Sequence, residues 1–220
     1  MEEKKVDTEE FKKETVDTVN QVKDTIKNVD IKKDAKEATG FISEMFKDPF
    51  AKIKEIVEDK QNKSLKIAII FVVIWVVAIF IKALAAKYWS FDALFRNILS
   101  LGKTVVAPVL NIIVLSGIVY VMNKKEKKPF ANLLTSITIA KIPVILASVV
   151  SLLVLFSSSA SRIVIPFTSL CTIISIVLTY FTIKAIFKEE QNSKFFKTFV
   201  IIEGIYYIAY ILISFLEIYI

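Results

Sequence analysis

The chain has 220 residues, 55% of them apolar, with 29 Lys and Arg, 22 Asp and Glu, one cysteine and no histidine. Its charges crowd into the first 64 residues and long apolar runs follow, which excludes an ordinary soluble domain with polar and apolar faces throughout. The missing histidine removes His-based general bases and the commonest transition-metal ligand, and the lone Cys171 allows no intramolecular disulfide.

The net charge of +7 divides unevenly. Residues 1–64 hold 14 Lys against 16 Asp and Glu, a net of −2; the remainder holds 15 Lys and Arg against 6 acids, a net of +9. The basic residues thus belong to the loops beside the apolar runs, where they set orientation. A nucleic-acid partner would want a basic stripe on an exposed domain and is not expected. The opening MEEKKVDTEEFKKE is too charged for a signal peptide, so the first span is expected to act as its own uncleaved insertion signal.

Residues 1–47 form a charged arm, expected to be partly helical or disordered. Val16, Val19, Val22, Ile26 and Val29, then Ile31, Ala35, Ala38 and Ile42, recur at helical spacing on either side of an unbroken polar background. Few of them are large, so the burial on offer is small against the ordering cost. The arm is read as solvated, with docking on a protein partner or the membrane surface as the alternative. In DPFAKIKEIVEDK (48–60), Asp48 suits an N-cap and Pro49 the first helical position, with Phe50, Ile53, Ile56 and Val57 on one face. That helix would lie among headgroups or pack on the protein's own loops.

Five membrane spans are expected after it, at about 65–88, 104–122, 133–156, 163–187 and 196–220, making an all-α polytopic bundle. Between the first two, Phe91, Leu94, Phe95, Ile98 and Leu99 follow an amphipathic pattern, predicting a surface helix over about 90–100, with a re-entrant segment as the alternative. Lysines and arginines flanking the spans number eleven on the arm's side and four on the other. The N-terminus is therefore expected in the cytoplasm and the C-terminus outside a cell membrane, as an odd number of spans requires.

Ionisable residues within spans are functional candidates, because each costs a few kcal/mol at the bilayer centre. Lys82, Lys184 and Glu217 lie near span ends and can snorkel. Lys141 and Glu203 lie deeper, at comparable depth in the third and fifth spans, and form a candidate intramembrane polar pair. Lys141 precedes Pro143, which lacks a helix-bonding N–H, so the pair of residues marks where an interfacial segment turns into the membrane. Asn111, Ser116, Gly117 and the hydroxyls of span four read as packing material. No Walker motif, nucleophile elbow, paired catalytic carboxylates or metal-ligand cluster is present; no catalytic, cofactor or metal residues are assigned, and no enzymatic activity is expected.

This layout resembles the Yip1 family of small membrane proteins, in its bacterial form. The resemblance spans Asp48 to Ile220 and rests on Pro49 with the amphipathic stretch before span one, and on PFANLLTSITIAKIPVIL, with Phe130 and Pro143, approaching span three. It implies five spans, a cytoplasmic N-terminal region and an exported C-terminus. The Tyr-Gly-Pro element of eukaryotic members has no counterpart here, so binding to Rab-type GTPases does not carry over. Nor does the Cys-rich zinc ribbon of some bacterial members. Three roles follow as expectations: a non-enzymatic scaffold or adaptor whose arm engages a protein partner, a small transporter or channel subunit using Lys141 and Glu203, or a membrane-shaping protein acting through 50–57 and 91–99.

Overall fold

The computed structural model describes residues 8–28, 31–59, 63–87, 91–123, 128–188 and 192–219, and the regular structure among them is helical throughout. Tyr88, Trp89, Ser90 and Lys124, Lys125 and Lys127 lie outside the described residues, as do the side chains of the 91–99 apolar face and of Glu217.

The longest apolar runs give the longest helices. Helix α4 (Leu65–Lys87) and helix α8 (Ser161–Phe187) coincide with the first and fourth expected spans. Among the described residues, Leu65–Lys82 and Ser158–Phe187 are long and apolar enough to cross a membrane. A third crossing forms if α6 (Phe130–Ala140) and the Ile142–Leu155 segment, bent by 45° against each other, count as one. Among the described residues two or three helices meet the requirement, where the sequence predicts five spans. The apolar part of α5 over Val106–Met122 is shorter, and the outer turns of α9 (Asn192–Tyr219) carry side chains outside the described residues.

One boundary differs from expectation. The surface helix at 90–100 and the span from 104 are a single 32-residue helix, α5 (Phe91–Met122). Between the two expected elements only Gly102 intervenes, and one glycine costs about 1 kcal/mol without ending a helix; α5 also carries Pro108 in its interior.

The arm folds into α1 (Thr8–Lys27) and α2 (Ile31–Lys47), which lie on the bundle. Helix α1 rests on α4 and α6; α2 rests on α4 and on α3 (Pro49–Glu58). The docking face of α1 is not its valine stripe. Phe11 stacks on Tyr120 and Phe130 at centroid distances of 5.1 and 5.8 Å, and Thr18 is buried. Glu14 accepts the Phe130 backbone N–H at 3.2 Å, so one helix supplies the N-terminal cap of another. In α2 the buried face includes Asp34, Ala38, Phe41 and Met45; it shares Ala38 with the expected stripe and turns toward Phe41 and Met45, leaving Ile42 half-buried, while the side chains of Ile31 and Ala35 lie outside the described residues.

Helix α3 keeps its expected start. Asp48 accepts the Ala51 N–H at 2.9 Å, Pro49 opens the helix, and Ile53, Ile56 and Val57 are buried. It packs on the helices α2, α6 and α8, with Phe50 left 51% exposed. Its C-terminal end is tied to the chain ahead of and within α6: Lys128 donates to the Val57 carbonyl at 3.0 Å and Asn132 to the Asp59 carbonyl at 2.7 Å.

These contacts divide the bundle along its length. Every residue of α6 except Leu134 is buried, enclosed by α1, α3, α4, α5 and α8. In α4 no residue of 65–72 is exposed, whereas Val73, Val77 and Phe80 are. In α8 no residue of 178–187 is exposed, whereas Ile163, Ile165, Leu170, Ile173 and Val177 are. The half nearest the arm is sheathed in protein, and the far half turns apolar side chains outward.

Candidate functional site

The candidate site is the break between α6 and α7 (Ile142–Val150). Pro143 lacks an N–H, so the ladder cannot run through it. Lys141 sits at the break, its N–H bonding to the Thr138 carbonyl at 3.0 Å and its carbonyl receiving the Ile145 N–H at 3.1 Å. The Ala140 carbonyl accepts instead from the Ser175 hydroxyl of α8 at 2.9 Å. An unpartnered carbonyl in this dry interior would cost about 1–3 kcal/mol, so Ser175 is what lets the helix break there. Ser175 is 1% exposed. It is helix-packing material in the specific sense of a hydroxyl that bonds across two helices.

On the far side of the break, α7 is pinned to α4. The Trp75 indole donates to the Ser148 hydroxyl at 2.9 Å, and that hydroxyl donates to the Val144 carbonyl at 3.0 Å. On the near side, Thr135, Ser136 and Thr138 each return their hydroxyl to the carbonyl four residues back. These polar side chains are thereby satisfied within α6 and leave its surface free to pack.

Glu203 lies three turns into α9, which packs on α5 and α8. Lys141 and Glu203 are each other's charged neighbour, within electrostatic reach but with no N–O approach inside 4.0 Å. Both are partly exposed. The structure thus brings the two charges to one level of the bundle without closing them into an ion pair. Lys82 is exposed on the far half of α4, and Lys184 lies on the rim of a cleft at the arm end of α8.

Sequence reasoning did not foresee two charged contacts. Asp34, 1% exposed, lies 2.6 Å from the Lys66 ammonium where α2 meets the first turn of α4. Lys52 of α3 reaches Glu44 of α2 at 2.9 Å and Glu55 at 3.0 Å, and its ammonium sits 5.3 Å from the centre of the Phe41 ring. Burial works against the Lys52 charge, but its bonds to the two glutamates outweigh that and hold its pKa above the usual lysine value. The bond from Lys52 holds Glu44 below the usual carboxylate value. The one available signal was Asp34 at the spacing of Ala38, Phe41 and Met45, which puts a carboxylate in line with a buried face.

Among the described residues, no three His, Cys, Asp or Glu side chains come together as a metal site would require. Comparison with protein-family models, characterised proteins and solved structures finds no match for this chain.

Proposed function

We propose that the chain is a non-enzymatic membrane scaffold or adaptor of Yip1 type, crossing a cell membrane five times, with a cytoplasmic N-terminus and an exported C-terminus. The observation that carries this reading is the outward edge of α1. That helix docks through Phe11, Glu14 and Thr18 and leaves Val16, Val19 and Ile26 exposed at 58%, 59% and 54%, beside the exposed Lys12 and Lys23. An apolar edge carried on a docked helix offers a partner protein a surface whose ordering cost is already met. The eleven-to-four lysine and arginine bias supports the orientation.

Removing residues 1–47 would not test this, because Phe41 and Met45 belong to the core. The test is a Val19→Asp, Ile26→Asp variant of the full chain, cross-linked in native membranes. A protein recovered in fixed stoichiometry with the wild type and lost from the variant, at unchanged melting temperature, is expected. Equal recovery from both overturns the adaptor.

A small transporter or channel subunit is the second reading, favoured by the facing charges of Lys141 and Glu203 beside a broken helix. It requires ion or proton flux into proteoliposomes that Glu203→Gln abolishes without changing melting. Absence of flux in the wild type removes it.

A further inference from the structure

Between the last turn of α2 and the first turn of α3 the arm bends, and two large apolar side chains stand out from the bend. Phe46 is 64% exposed and Phe50 is 51% exposed, whereas Phe41, Met45, Ile53, Ile56 and Val57 of the same two helices are buried. The bend is braced from within. The Asp48 N–H bonds to the Glu44 carbonyl at 3.1 Å, and the Asp48 carboxylate accepts the Ala51 N–H. The Lys52 ammonium reaches back across the bend to the Glu44 carboxylate at 2.9 Å. A bend held in this way keeps both rings at the surface.

The neighbours of the two rings place them along α8. Phe50 meets the Phe181 ring edge-to-face at 4.3 Å. Phe46 and Pro49 border, with Pro143, Ile174 and Leu178, an apolar hollow of about 90 Å³. Leu170, Ile174, Val177 and Phe181 follow one another at i, i+4, i+7 and i+11, which makes a single stripe of α8. Leu170 and Val177 are exposed, and the bend lies against the remainder of that stripe.

The length of α8 says what surrounds the bend. The far end of the helix is marked by the serine-rich turn at 157–161 and by the exposed Arg162. From Ser161 to Phe181 the helix rises about 30 Å, the thickness of a hydrocarbon core. A bilayer whose far edge lies at Arg162 therefore ends at the level of Phe181. Phe50 stands at that edge, and Phe46, level with Ile174 and Leu178, stands inside it.

We propose that the α2–α3 bend is a membrane anchor, in which Phe46 and Phe50 enter the arm-side edge of the bilayer and meet its acyl chains. The anchor ties the arm to lipid as well as to the bundle, and it rests on the reading of α8 as a membrane span. The occupant is the bilayer rather than a partner protein, because the stripe that the bend touches continues uncovered through Val177 to Leu170 along that span. Contact with acyl chains asks nothing of headgroup charge, so a zwitterionic bilayer suffices.

The test is the accessibility of nitroxide labels on the full chain in phosphatidylcholine vesicles. Each label is attached through Phe46→Cys, Phe50→Cys, Ile173→Cys or Lys36→Cys in a Cys171→Ala background. Labels at 46, 50 and 173 are expected to collide with oxygen in preference to a water-soluble nickel chelate, the first two from about 5–10 Å into the boundary between headgroups and acyl chains. The label at 36, an exposed position of α2, is expected to favour the chelate. Labels at 46 and 50 as open to the chelate as that at 36, with 173 in hydrocarbon, overturn the anchor alone. An aqueous label at 173 as well overturns the membrane reading of α8 with it. Labels at 46 and 50 reached by neither probe would mean that protein covers the bend, and also overturn the anchor. If the Cys171→Ala chain does not fold, the wild type in vesicles of a diazirine-bearing phosphatidylcholine answers the same question: photoadducts on Phe46 or Phe50 are expected, and adducts confined to α4 and α8 overturn the proposal.

Discussion

The half of the bundle nearest the arm and the half beyond Val73 and Val177 are built from the same helices under different demands. In the near half, α6 and the adjoining turns of α4 and α8 are enclosed by α1, α2 and α3, whose outer faces carry Lys12, Lys13, Asp17 and Lys36 toward solvent. In the far half the same helices turn Val73, Val77, Phe80, Leu170 and Ile173 outward. The near half is organised like a soluble core: its apolar faces are covered and its buried polar groups are mostly paired, with Asn123 Nδ2 and Thr182 Oγ1 lacking hydrogen-bond partners. The far half leaves apolar faces uncovered, as suits a surface that meets lipid or another apolar surface. From Ser161 to Val177 α8 would extend about 25 Å, close to the thickness of a hydrocarbon core. The comparison explains why α6 tolerates Asn132, whose partner, the Asp59 carbonyl, is supplied in the sheathed half, whereas Thr135, Ser136 and Thr138 are satisfied within α6 itself.

The sharpest way to break this division is a matched pair of truncations. Ile137 is fully buried in the near half and Ile173 is 59% exposed in the far half. Ile137→Ala is expected to cost about 2–5 kcal/mol by leaving a cavity, measured as a lower melting temperature in detergent. Ile173→Ala is expected to change melting by less than about 0.5 kcal/mol. Equal losses would mean that the two halves share one environment.

Next in size is the Asp34–Lys66 contact, which fastens α2 to α4. Lys66→Met leaves the buried carboxylate without this cation and is expected to cost about 3 kcal/mol, with α2 becoming the first site of proteolysis. Uniform protection of α2 in that variant would show the sheath to be held by its apolar residues alone.

Ser175→Ala tests the boundary itself. It strips the Ala140 carbonyl of its hydroxyl partner and is expected to cost about 1–2 kcal/mol, with faster hydrogen exchange around Lys141 and no change in α3. Exchange unchanged at the break would mean that water already serves that carbonyl.

The smallest effect is the pH dependence of the Lys52 latch. Glu44 has its pKa lowered in the fold, so its contribution is complete above its usual value of 4.5 and fades as pH falls through the folded value. Lys52 has its pKa raised, so its share is complete below 10.5 and fades as pH rises through the folded value. Wild type is therefore expected to melt above Lys52→Met at neutral pH, and that gap is expected to narrow as pH falls below 4.5. A gap independent of pH would assign the effect of Lys52 to its ammonium over the Phe41 ring rather than to its bonds with the glutamates.

Much of this architecture is local and so could be read in advance. Apolar runs long enough to cross a membrane produced α4 and α8, the Asp48–Pro49 pair started α3, and Lys141 with Pro143 marked the break in the third run. Each follows from hydrogen-bond and solvation rules acting within a few residues. Which surfaces meet was decided only by the tertiary structure. The valine stripe of α1 lost its docking role to Phe11 and Thr18 because Tyr120 and Phe130 arrive from more than a hundred residues away. Ser175 gained its task from a break in another helix, and Lys184 and Lys188 meet α3 only through the packing of α8 against it. The apolar helices themselves could not say which side would face protein: lipid and core reward the same side chains, so a helix apolar all round carries no periodic mark of its neighbours.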